Sequence, residues 1–139
     1  MGRRQAREAV LKTLFQIALG GAKAETALRT VLLEDKLSVT DTLFAREVTN
    51  GVVDRRDELD LLLQCFSGDW TVERMATMDR LILRMACYEI LYRSDIPVAV
   101  SINEAIELAK KYSGEEASRF VNGILSAVAR ANTAKEGPH

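Results

Sequence analysis

The sequence predicts an all-helical protein. Apolar residues recur every three or four positions along nearly the whole chain, and no stretch alternates for long. Ala, Leu, Arg and Glu are the commonest residues, a composition that favours helix. Only two prolines interrupt the 139 residues, a length that fits one domain or two tightly packed halves.

The first helix is predicted from about Arg3 to Leu19, with Ala6, Val10, Leu14 and Ile17 as one stripe and Leu11, Phe15 and Ala18 beside it. Gly20-Gly21 ends it. A second helix covers roughly Lys23 to Glu34, with Ala27, Leu28, Val31 and Leu32 facing inward. A third, long helix starts near Thr40, where Ser38 and Asp41 form a capping pair, and runs through Phe44, Val48, Val52, Leu59, Leu62, Leu63 and Phe66. Asn50-Gly51 normally marks a turn, but the apolar phase is kept across it, so Gly51 reads as a close-packing point inside one helix.

Ser67-Gly68-Asp69 is a break, followed by Trp70 and a short helical turn from Val72 to Ala76. The next helix, about Met78 to Arg93, is apolar on most sides, the mark of a central helix. Asp95-Ile96-Pro97 stops it. Ser101 to Glu104 reads as a capping box opening the following helix, which Gly114 ends. A last helix runs from about Glu115 to Ala131, and residues 133–139 are expected to fray. These make about seven helices.

Composition limits the function. Net charge is −1, so any affinity for a polyanion must come from a local patch. Residues 1–12 carry Arg3, Arg4, Arg7 and Lys12 against Glu8 alone, whereas residues 23–60 carry nine acids against six bases. Cys65 and Cys87 match no zinc or CxxC spacing and read as reduced core thiols. No apolar run approaches the roughly 18 residues of a membrane span. Glu8, Lys12 and Gln16 interrupt what would be a signal-peptide core, so a cytoplasmic protein is expected. There is no phosphate-binding loop, no GxGxxG and no HExxH, and the sole histidine is His139. No catalytic residue, metal or cofactor is expected.

Three features call for explanation. Arg3, Arg4 and Arg7 occupy the first turns of a helix, where the dipole disfavours cations. They either solubilise the terminus or meet phosphate oxygens. Phe120, Asn122 and Gly123 sit in the last helix, two of them poor helix formers. Phe120 offers a stacking face and Asn122 an amide for a base edge, or else Phe120 is core and Gly123 a packing contact. Arg80 and Arg84 lie on the central helix. Arg80 reads as paired with a buried acid such as Glu89 or Glu104, while Arg84 is open. Tyr88, Tyr92 and Trp70 read as core or packing residues.

These residues coincide with a family pattern. The opening Arg3-Arg4-Gln5-Ala6-Arg7-Glu8-Ala9 and Leu14-Phe15-Gln16 resemble the start of the bacterial transcription antitermination factors of the NusB family. The resemblance is densest in Ile82 to Ala86, Tyr88 to Leu91, Asp95-Ile96-Pro97, Ile102 to Tyr112 and Phe120 to Leu125. It implies an all-α fold of two packed three-helix halves, here about 1–68 and 69–132. It also implies binding of single-stranded boxA RNA of ribosomal transcripts, jointly with the ribosomal protein NusE. That complex joins other Nus factors on RNA polymerase and suppresses premature termination, with no catalysis and no cofactor.

Position by position, the resemblance maps RNA contact onto Arg3, Arg4, Arg7, Lys12 and Phe15, the last often Tyr in the family. Phe120 and Asn122 follow, with Glu116 and Arg84 nearby, and Glu73 and Asp79 match the NusE-facing acids. Self-association stays open, as some relatives pair through the RNA surface. Two other readings remain. One is the NusB-like front domain of a ribosomal RNA cytosine methyltransferase, which requires the gene to continue past His139. The other is a helical adaptor that binds no RNA.

Overall fold

The computed structural model describes residues 2–136, with side chains described through Asn132. Its contacts divide the chain after Arg55 into two compact units.

The first unit holds α1 (Gly2–Gly20), α2 (Ala24–Asp35) and α3 (Val39–Asp54). Helix α1 packs on both of the others, burying Ala6, Ala9, Val10, Leu11 and Leu14 against Ala27, Leu28 and Val31 and against Phe44, Ala45, Val48 and Val52. Each large apolar side chain removed from water contributes roughly 1.5–3 kcal/mol. Ser38 caps α3 as expected, its Oγ accepting the Asp41 N–H at 3.1 Å. Gly51 is buried inside α3, in keeping with its reading as a packing point rather than a turn.

The second unit holds α4 (Arg56–Phe66), a 3-10 turn (Val72–Arg74), α5 (Thr77–Tyr92), α6 (Val98–Tyr112) and α7 (Glu115–Glu136). Helix α5 is central: it packs on α4, α6 and α7 and buries an unbroken run from Met85 to Ile90. Val121, Ile124, Leu125 and Val128 supply the inner face of α7.

Several expectations need correction. The long third helix is two helices, because Arg55 leaves helical geometry (φ −110°, ψ 20°) before α4 restarts. The Arg55 N–H still bonds the Gly51 carbonyl at 3.1 Å, and the interruption is one residue long. The boundary between units thus falls at this kink and not at the later Ser67-Gly68-Asp69 break, and the second unit carries four α-helices. Ser101 does not open α6, which begins at Val98 after Pro97. Ser101 is buried within that helix and donates to Glu89 Oε1 at 2.9 Å. Cys65 is exposed rather than core, while Cys87 is buried. Trp70 is exposed, not packed away. Helix α7 extends to Glu136 rather than about Ala131, and residues 137–139 of the tail expected to fray lie outside the described residues. No described helix is long and apolar enough to cross a membrane.

Candidate nucleic-acid interface

In the first unit, the arginine-rich opening of α1 divides by helical geometry. Arg4, Glu8, Lys12 and Phe15 follow spacings of four, four and three and so share one side of the helix. Arg4 and Lys12 are exposed and Phe15 is half-buried. Lys12 Nζ stands 3.6 Å from Asp35 Oδ1; the Asp35 side chain is largely buried while about half of the Lys12 side chain stays in water.

Arg3 and Arg7 are engaged within the unit instead. Arg3 Nε donates to Asp41 Oδ1 at 3.0 Å. The Arg3 and Arg7 guanidinium carbons lie 4.3 and 5.3 Å from the centre of the Phe44 ring, inside cation–π range. Arg7 is only 4 % exposed. Arg3 and Arg7 thus join α1 to α3, Arg7 nearly buried and Arg3 part-exposed, while Arg4 is exposed. The cost of placing cations at a helix start is offset here by an aromatic face and a carboxylate.

In the second unit, α7 positions Phe120 and Asn122. Phe120 is half-buried and meets Trp70 edge-on, ring centres 6.4 Å apart at 70°. Asn122 is exposed, and its Oδ1 accepts the Ser126 hydroxyl at 3.0 Å one turn on. That bond orients the side chain along the helix and leaves the amide as donor. Gly123 is exposed, and a Cβ built there meets nothing within 4 Å, so it is not a packing contact. Glu116 is exposed in the first turn of the same helix.

Arg84 answers the question the sequence left open. Its Nε and Nη2 bond both oxygens of Asp60 on α4 at 2.7 and 2.8 Å, a bidentate fork with the Arg84 side chain 11 % exposed. Arg80 instead donates to the Val72 carbonyl at 3.3 Å, and its buried Nε has no hydrogen-bond partner. Neither arginine takes the acids expected for Arg80. Glu73 is exposed in the 3-10 turn, and Asp79 lies half-buried in the first turn of α5 with a buried Oδ1 that accepts no bond.

Sequence reasoning missed Trp70 as a surface residue and Asp60 as the partner of Arg84. Position directly after a Ser-Gly-Asp break was the available signal for Trp70. Asp60 carried none, since its partner is 24 residues away. The described residues contain no cluster of His, Cys, Asp and Glu able to hold a metal ion, and His139 lies outside them.

The NusB family model matches residues 4–130. The chain belongs to the NusB family. A transcription antitermination protein NusB from Dehalococcoides mccartyi (strain CBDB1) is 43 % identical over 129 residues, covering 93 % of this chain and 90 % of the relative. Another from Symbiobacterium thermophilum is 44 % identical over 138 residues, covering 94 % and 90 %. Among solved structures, NusB of T. maritima superposes with a TM-score of 0.90 at 36 % identity, covering 98 % of this chain and 96 % of that one. The NusB fold also recurs, at a TM-score of 0.86 and 24 % identity, in a crystal structure of antitermination factors NusB and NusE in complex with double-stranded RNA. That match covers 93 % of this chain and 96 % of the other.

Proposed function

We propose that this protein binds single-stranded boxA-type RNA of nascent ribosomal transcripts together with NusE, as part of a cytoplasmic antitermination complex with other Nus factors on RNA polymerase. It acts by binding and catalyses no reaction. The observation that carries the reading is the solvent-facing Gly123, one turn from Phe120 on the same face of α7, with Asn122 exposed on the flank. Glycine in an exposed helix interior costs about 1 kcal/mol relative to alanine, and no neighbour requires it. A bare backbone there lets a nucleic-acid strand approach closely, while a ring and an amide suit an unstacked base and its edge.

On the first unit, Arg4 and Lys12 supply phosphate contacts and Phe15 a further stacking surface. Arg3 and Arg7 support that helix from behind, and Arg84 positions α5 through Asp60 rather than touching RNA. Glu116 borders the α7 face. Glu73 in the 3-10 turn and Asp79 in the first turn of α5 form the NusE-facing acids. NusE would extend the RNA surface and raise affinity through one joined site.

The test is filter binding of a boxA RNA and a scrambled RNA of equal length, with and without NusE, across a salt series. Preferential binding of boxA, tightened by NusE and weakened steeply by salt, is expected. Equal binding of both RNAs, or affinity indifferent to salt, refutes the reading.

A further inference from the structure

We infer that Trp70 is a second stacking ring, forming with Phe120 a corner that seats one unpaired RNA base. The inference rests on the RNA-binding reading and adds a contact that the family resemblance did not supply.

Trp70 is the only tryptophan of the chain and stands 57 % exposed. An indole held in water forgoes the burial that makes tryptophan useful to a core. Its position is nevertheless built. Gly68 takes φ +64°, a left-handed turn that side chains resist. The Trp70 N–H then bonds the Ser67 carbonyl at 3.2 Å. The Trp70 carbonyl accepts from Ser67 Oγ at 2.7 Å and from Gln64 Nε2 at 3.0 Å. Gln64 Oε1 in turn accepts the Val72 N–H at 2.9 Å. One glutamine and one serine thus tie both sides of the turn to the end of α4, and the backbone presents the ring from a bonded platform.

The ring meets Phe120 at 70°, nearly perpendicular. A flat base stacked on one of these rings presents its edge to the other. Charges near the corner are mixed, with Asp69 and Glu73 close to Trp70 in sequence and the exposed Arg74 and Arg119 close to the two rings, so it is the paired rings that suit a base. Stacking, which depends little on salt or on base identity, would carry this contact.

The experiment uses the intrinsic fluorescence of the single tryptophan and unlabelled boxA RNA, with affinity measured separately by filter binding. RNA should quench Trp70 with the same midpoint as filter binding. Trp70→Ala should weaken binding about 5- to 100-fold, with the salt slope unchanged and the thermal midpoint near wild type. Trp70→Phe should restore most of the affinity. If RNA binds without quenching and Trp70→Ala binds as wild type, the inference falls and the RNA-binding reading stands. If NusE quenches Trp70 and RNA does not, the ring is a protein contact and the inference is wrong. If no RNA binds at all, both fall.

Discussion

The Arg84 guanidinium grips both oxygens of Asp60, joining the middle of α5 to α4 at 2.7 and 2.8 Å. The fork lies where helix α5 is otherwise mostly apolar, and it ties two helices across 24 residues of sequence. Its shielding from water makes the loss of one partner costlier than the pair's net contribution.

Arg84→Ala or Asp60→Ala should each lower stability by about 2–3 kcal/mol, less than a fully buried pair because Asp60 remains partly exposed. A paired replacement by Met and Leu should recover much of that loss. Urea denaturation of the two single alanine variants and of the double alanine variant measures the coupling. Additive losses would show that the fork carries no coupling energy.

Arg4 and Arg7 should separate binding from folding. Arg4→Ala should change stability by less than about 0.5 kcal/mol. It should also flatten the logarithmic salt dependence of RNA affinity by about 0.7, the value of one phosphate contact on a single strand. Arg7→Ala should lower stability by about 1–3 kcal/mol through the loss of packing on Phe44. Thermal melts and a salt series on both variants check this. A stable Arg7→Ala protein that no longer binds RNA would return Arg7 to the interface.

Gly123→Ala should stabilise the protein by about 0.5–1 kcal/mol, since α7 is helical there and the new methyl meets open space. The same change should weaken boxA binding by obstructing the strand. Phe120→Ala and Asn122→Ala should reduce the preference for boxA over scrambled RNA more than they reduce binding of scrambled RNA. A stabilised Gly123→Ala protein with wild-type affinity would mean that the strand does not approach that backbone.

The two thiols should differ in reactivity. Burial pushes the Cys87 thiol from 9.0 up to about 12, whereas Cys65 is exposed. A maleimide at neutral pH should modify Cys65 quickly and Cys87 only on unfolding. The raised folded-state value also sets a sign. The unfolded chain loses this proton first as pH rises above 9, so Cys87 should lower stability by up to about 1.4 kcal/mol per pH unit between pH 9 and 12. Below pH 9 it should have no such effect. Cys87→Ala should show a shallower decline over that range in pH-dependent denaturation.

Much of the fold was legible because helical order is local. Ala6, Val10 and Leu14 of the first stripe are buried, with Ile17 at its end only half-buried, and the central helix buries Leu81 to Leu83 and Met85 to Ile90, since a period of 3.6 residues says which side of a helix turns inward. The kink at Arg55 was illegible because the interruption is only one residue long. Ser101 misled because its pattern with Glu104 is that of a cap, while Pro97 had already started the helix.

For the candidate site, the residues were named from the sequence, and their roles were sorted by the folded chain. Chain order alone determined that cations crowd the start of α1 and that a ring, an amide and a glycine follow one another on α7. The tertiary structure decided which of those cations point at Phe44 and which at water, that Arg84 answers to Asp60, and that Trp70 stands outside beside Phe120. The physical reason is that a helix period assigns a residue to a face, whereas the neighbour across that face comes from a distant part of the chain. Only packing brings the two within reach.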